Sequence, residues 1–167
     1  MRCRLITSLV LALLLAVPAT AAARSADVPG RLGERVDKAR EASGIRVLLP
    51  DRLTVLFDGR LFPGGSWREG AYELSLHAAR GCNGANVCFV ADFLGRDGGR
   101  PAGDRAVDLA KGRVGRFSRS RCAASCGPAV IEWRERGATY AIEVKGLGHE
   151  RRALKRMANQ AIRAGAR

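Results

Sequence analysis

Five cysteines carry the most distinctive chemistry in this sequence, and four of them form two close pairs. Cys82 and Cys88 are separated by five residues, Cys122 and Cys126 by three. Four thiolates in two clusters can hold zinc tetrahedrally, a thiol at a helix start can run redox exchange, and four cysteines in an oxidising compartment form two disulfides. The spacings discriminate. Zinc knuckles and redox motifs both favour CxxC, which is absent here. Disulfides are therefore expected, with three possible connectivities. Asn83-Gly84 tolerates positive φ at both residues and turns Cys82 back towards Cys88. Cysteines at i and i+4 lie about 6 Å apart on a helical turn, within disulfide reach. Local geometry thus favours 82–88 with 122–126. Chain entropy favours a long bridge such as 82–126, worth about 4 kcal/mol against roughly 2 for each short loop. Both remain open from sequence.

Acid–base and nucleophilic chemistry has less to work with. His77 falls on the polar side of an alternating run and His149 at the start of a helical pattern, and neither belongs to a nucleophile motif. Asp92, Asp97, Asp104 and Asp108 do not match a calcium-loop spacing. The glycines of residues 95–104 are not followed by Gly-Lys-Ser/Thr, so they do not form a phosphate loop. No cofactor and no metal are expected.

Positive charge is the strongest functional lead. The chain carries 29 basic and 16 acidic residues, a formal charge of +13. Such an excess favours polyanions over neutral partners. Between Leu109 and Ile131 there is no acid, while Arg113, Arg116 and Arg119 fall inside. Arg152, Lys155, Arg156 and Arg163 form a second group on one side of the last helical pattern. These seven residues are the anion-binding candidates. Specific nucleic-acid readout is not expected from them.

The elements that must position these groups follow a short leader. Residues 1–4 are basic, 5–17 apolar and 18–23 small, the plan of a secretory signal peptide. The run of thirteen residues, apolar except for Thr7 and Ser8, falls short of the roughly 20 that cross a bilayer. An exported protein without a stable membrane anchor is expected, periplasmic or extracellular, with residues 24–30 as a disordered leader. Residues 31–167 then form a single domain. Leu32, Val36 and Ala39 repeat at helical spacing, with Gly44 as the C-cap. Residues 45–49, 53–57, 71–78, 87–94, 106–110 and 113–118 read as strands, 63–66 as loop and 95–104 as a mobile loop. Ile131 and Trp133, then Tyr140, Ile142 and Val144, alternate with polar residues on either side of Arg136-Gly137, a hairpin with one buried face. Leu154, Met157, Ala158, Ala161 and Ile162 recur at i, i+3, i+4, i+7 and i+8, an amphipathic helix ended by Gly165. The expected fold is α+β: an antiparallel β-sheet with a short N-terminal helix and a C-terminal helix packed on it, and two disulfides.

The string Gly81-Cys82-x-Gly84-Ala85-x-x-Cys88, followed by Cys122-x3-Cys126-x-Pro128-x-x-Ile131-x-Trp133, resembles small exported bacterial proteins of uncharacterised function. The closing hairpin and helix are also similar to the end of PsbP/Mog1-type domains. Neither resemblance implies catalytic residues. The expectation is a non-enzymatic binding or accessory protein of the cell envelope, with a basic surface for a polyanionic partner or an envelope protein. The alternatives are an accessory envelope enzyme with a site near residues 95–104, or a structural protein-interaction domain.

Overall fold

The computed structural model describes residues 24–57, 59–82 and 85–167. The expected signal peptide, residues 1–23, and the expected Asn83-Gly84 reversal lie outside them. The described chain runs β1 (Arg24–Asp27), α1 (Val28–Leu32), α2 (Arg35–Ser43), β2 (Arg52–Val55), β3 (Phe62–Arg68), β4 (Ala71–His77), β5 (Phe89–Asp97), β6 (Arg105–Asp108), β7 (Val114–Ser118), β8 (Arg121–Cys122), β9 (Cys126–Gly127), β10 (Ala129–Glu135), β11 (Ala138–Val144) and α3 (Glu150–Ala164). Seven strands form one antiparallel sheet in the order β3-β4-β5-β11-β10-β7-β6, with two-stranded ribbons β1-β2 and β8-β9 beside it. The α+β class holds, with both helical ends and both disulfides in place.

The β10–β11 hairpin turns on Arg136-Gly137, both at positive φ (49° and 90°), which matches the right-handed twist of its strands. Trp133 pairs with Tyr140 and Ile131 with Ile142. All four are buried, and the Trp133 and Tyr140 rings stack with centroids 5.7 Å apart. Tyr72, Leu74 and Leu76 of β4, Phe93 of β5, Val28 and Leu32 of α1, and Leu154, Met157 and Ile162 of α3 join them in one core. Gly95 sits in register between Tyr72 and Tyr140, and a Cβ there would overlap the Tyr72 ring.

Five stretches differ from expectation. Residues 24–30 are not a disordered leader: β1 pairs with β2 from Arg24↔Val55 to Asp27↔Arg52, and Val28 donates to the Asp51 carbonyl and is fully buried. Two apolar side chains four residues apart, Val28 and Leu32, outweigh the polar composition around them. The expected first helix is broken at Gly33 (φ 56°) into α1 and α2, while Gly44 caps α2 in the left-handed region as anticipated.

Residues 45–49 join no ladder. They cross the core, held by Leu48 N–H on Tyr72 Oη (3.2 Å), Arg167 N–H on the Val47 carbonyl (3.0 Å) and a single bridge between Leu48 and Ala166. A run of buried residues can satisfy its backbone without becoming a strand. Residues 63–66, expected as loop, belong to edge strand β3, where proline needs no inward donor and glycine leaves room for neighbours. A Cβ on Gly64 would stand 2.8 Å from His77 Nε2.

Residues 98–104 are tethered rather than free. Thr139 Oγ1 donates to the Gly98 carbonyl (2.7 Å), the Ala102 N–H to Glu132 Oε2 (2.6 Å) and the Asp104 N–H to the Phe117 carbonyl (3.0 Å).

Candidate functional site

The cysteines pair locally, Cys82 with Cys88 and Cys122 with Cys126. The two closed loops are neighbours. Lys145 Nζ donates to both Asn86 oxygens (2.7 and 2.9 Å), and Asn86 Nδ2 donates to the Cys126 carbonyl (3.0 Å). One end of the sheet is thereby laced to both disulfides. A small apolar patch lies at this end, with Val87 90% and Leu56 60% exposed around a cavity of about 220 Å³.

The seven basic candidates divide into two groups. Arg152, Lys155, Arg156 and Arg163 are exposed on α3, opposite its buried Leu154, Met157, Ala158, Ala161 and Ile162. At 1.5 Å per residue their stripe is about 17 Å long. None of them, nor the adjacent Arg151, forms an ion pair among the described residues. Arg151, Arg152 and Lys155 also border a cleft of about 330 Å³ against β6. Glu150, the one acid on α3, is occupied: both its oxygens accept from Ser120, one from the hydroxyl and one from the N–H.

Arg113, Arg116 and Arg119 do not join that stripe. Arg113 Nε lies 2.8 Å from Glu135 Oε2, and Arg46 lies 3.2 Å from Oε1 of the same, nine-tenths buried carboxylate. Arg116 stands in register with Glu132, among the side chains that point away from the core. Arg119 is exposed in the link to β8.

That outward sheet face carries a feature the chain order concealed. Ser75, Asp92 and Glu143 stand in register across β4, β5 and β11, and Glu73, Leu94, Ala141 and Glu132 form the next row. Four carboxylates thus gather on one face of a strongly basic protein. Three of them, Glu73, Glu132 and Glu143, border a cavity of about 360 Å³ lined also by Leu94 and Ala141, with Arg96 3.5 Å from Glu132. Burial pushes the Asp92 carboxyl up to about 7, with Glu73 and Glu143 adding to the rise and a hydrogen bond from Ser75 opposing it. Asp92 Oδ1 is buried without a hydrogen-bond partner. Glu143 is raised as well, by burial first and then by Glu132 and Glu73. Cross-strand neighbours stand only about 5 Å apart, so two charged carboxylates in register repel. A proton held by one of them relieves that repulsion, which leaves a proton donor beside a carboxylate.

Period-two alternation already puts Glu73, Glu132 and Glu143 on polar sides. What brings them together is strand order, which alternation does not encode. Compared with family models, with curated proteins and with solved structures, the chain matches none.

Proposed function

We propose that the chain is an exported, non-enzymatic binding domain of the cell envelope that docks on polyanionic surfaces through the basic face of α3. The observation that carries this reading is the α3 stripe itself: Arg152, Lys155, Arg156 and Arg163 are exposed on a helix whose other face is buried, and none has an acidic partner among the described residues. Charge left unpaired on a rigid element attracts anions without first breaking an ion pair. Two disulfides are the mark of an oxidising, exported setting, and none of the described helices is long and apolar enough to cross a membrane. A signal peptide over residues 1–23 supplies the route.

The test compares salt elution from a heparin column. Neutralising Arg152, Lys155, Arg156 and Arg163 to glutamine is expected to lower the eluting salt well below that of a control with Arg40, Arg68, Arg100 and Arg134 neutralised. Equal shifts in the two variants would reduce the binding to net charge and remove the α3 face from the reading.

A second reading is favoured by one observation, the Asp92 carboxyl near pKa 7 beside Glu143. In this reading the outward face is an acid–base site bordered by the tethered loop at residues 98–104. Side-chain carbon NMR titration tests it. The reading requires that Asp92 and Glu143 together keep a proton at pH 6.5; two ordinary titrations near pH 4 would end it.

A further inference from the structure

Beside edge strand β3 lies a cavity of about 640 Å³ into which four arginines converge: Arg31, Arg35, Arg60 and Arg80. Among the described residues, no aspartate or glutamate lines it and none of the four forms an ion pair. Like charges brought into one concavity repel, so their convergence costs stability unless an anion enters. We propose that this cavity is a binding site for the phosphate group of a phosphorylated ligand.

The arginines reach the cavity by separate structural routes. Arg31 lies in the last turn of α1 and Arg35 opens α2, with the break at Gly33 between them, and both line the cavity beside β3. Arg60 and Arg80 approach from the two ends of the β3–β4 hairpin, and their guanidinium carbons stand 5.5 and 5.3 Å from the centroid of the Phe62 ring. A cation resting on an aromatic face is held in place before any ligand arrives, which lowers the ordering cost of binding.

In the wall is His77, only 8% exposed, with Nδ1 buried and unpartnered. A buried polar atom without a partner is costly, and Gly64 leaves the space the imidazole occupies. Burial holds the imidazole below its ordinary pKa, with Glu73 opposing.

The chemistry selects a tetrahedral dianion. A carboxylate presents one edge, which a single forked guanidinium can satisfy. Four guanidiniums around one concavity match the larger acceptor count and double charge of a phosphomonoester. The cavity is much larger than one phosphate, so room remains for the body that carries it. The site is separate from the α3 stripe and does not depend on it.

The experiment is isothermal titration of the disulfide-bonded chain with inorganic phosphate and with glycerol 3-phosphate, with acetate as the monoanion control. Flotation with vesicles of phosphatidic acid in phosphatidylcholine forms a second arm. A saturable site is expected, with affinity falling roughly tenfold or more for each guanidinium removed in Arg35→Gln/Arg60→Gln and Arg31→Gln/Arg80→Gln. The chain with α3 neutralised should bind the soluble phosphate probes as the native protein does. Binding of the soluble ester with these properties supports the site and identifies a free phosphorylated molecule as its ligand. Binding confined to vesicles, lost in the pocket variants but kept in the charge-matched control Arg68→Gln/Arg100→Gln, supports it with a lipid headgroup as the source. The proposal is overturned if neither probe binds, if both pocket variants bind like the native chain, if neutralising α3 abolishes binding of the soluble ester equally, or if the charge-matched control loses vesicle binding as the pocket variants do.

Discussion

Glu135 and Asp92 show two ways in which this protein handles a carboxylate out of water. Glu135 is countered on both oxygens, by Arg46 and Arg113. It ties the 45–49 crossing and the start of β7 to the hairpin strand β10. Replacing it by glutamine leaves two guanidiniums facing a neutral amide. Because both arginines retain some solvent, the loss belongs at the lower end for broken buried pairs, about 3 kcal/mol in urea unfolding. Asp92 forms no ion pair among the described residues and holds a proton more tightly instead. Its folded pKa near 7 lies above the unfolded value of about 4, so the folded state binds the proton more tightly. That stabilisation is complete below pH 4 and is lost as pH rises towards 7. Asp92→Asn should therefore flatten the decline in urea midpoint between pH 5 and pH 8, gaining on the native chain at the higher pH. Parallel declines in the two proteins would contradict the raised carboxyl.

At the scale of elements, local signals were readable and distant ones were not. The β10–β11 hairpin and α3 follow directly from spacing, because each buries one face and the period reports that face. Gly44 was readable as a cap because only its own φ matters. β3 was hidden because Pro63, Gly64 and Gly65 signal a turn, and only its position on the sheet edge makes them acceptable. The 45–49 crossing was hidden because an apolar run looks the same whether it joins a sheet or passes over one. Of the candidate sites, the α3 stripe was legible and the gathering of Glu73, Asp92, Glu132 and Glu143 was not, since it depends on which strands become neighbours. Gly95 tests the strand packing. Gly95→Val would press into the Tyr72 ring and should cost at least the 1–3 kcal/mol typical of overpacking, about 3 kcal/mol by thermal unfolding. An unchanged midpoint would mean that the ring does not cover that glycine.

The whole molecule is uneven in both charge and construction. The α3 side presents cations that form no ion pair among the described residues, while the outward sheet face gathers four carboxylates near one another. One end is laced through Asn86 to both disulfides. Each disulfide closes only a short loop, so losing either should cost roughly 2 kcal/mol. The paired replacements Cys82→Ser/Cys88→Ser and Cys122→Ser/Cys126→Ser should thus lower the urea midpoint by comparable amounts without abolishing the fold. Collapse of either variant would make the bridge a condition of folding rather than a staple.

The pairing of β5 with β11 also governs the order in which the protein can be built. β3, β4 and β5 follow one another along the chain and can close as soon as they emerge, but five further strands intervene before β11 is made. Until then the Phe89–Asp97 edge, with Val90, Ala91 and Phe93, waits unpaired, the kind of template on which other chains add strands. The last hairpin is the zip that joins two halves, and a chain delivered N-terminus first completes its middle last. Refolding followed by the burial of Trp133 should be slowed by an excess of a peptide spanning residues 138–144, which would occupy the waiting edge before the chain's own β11 arrives.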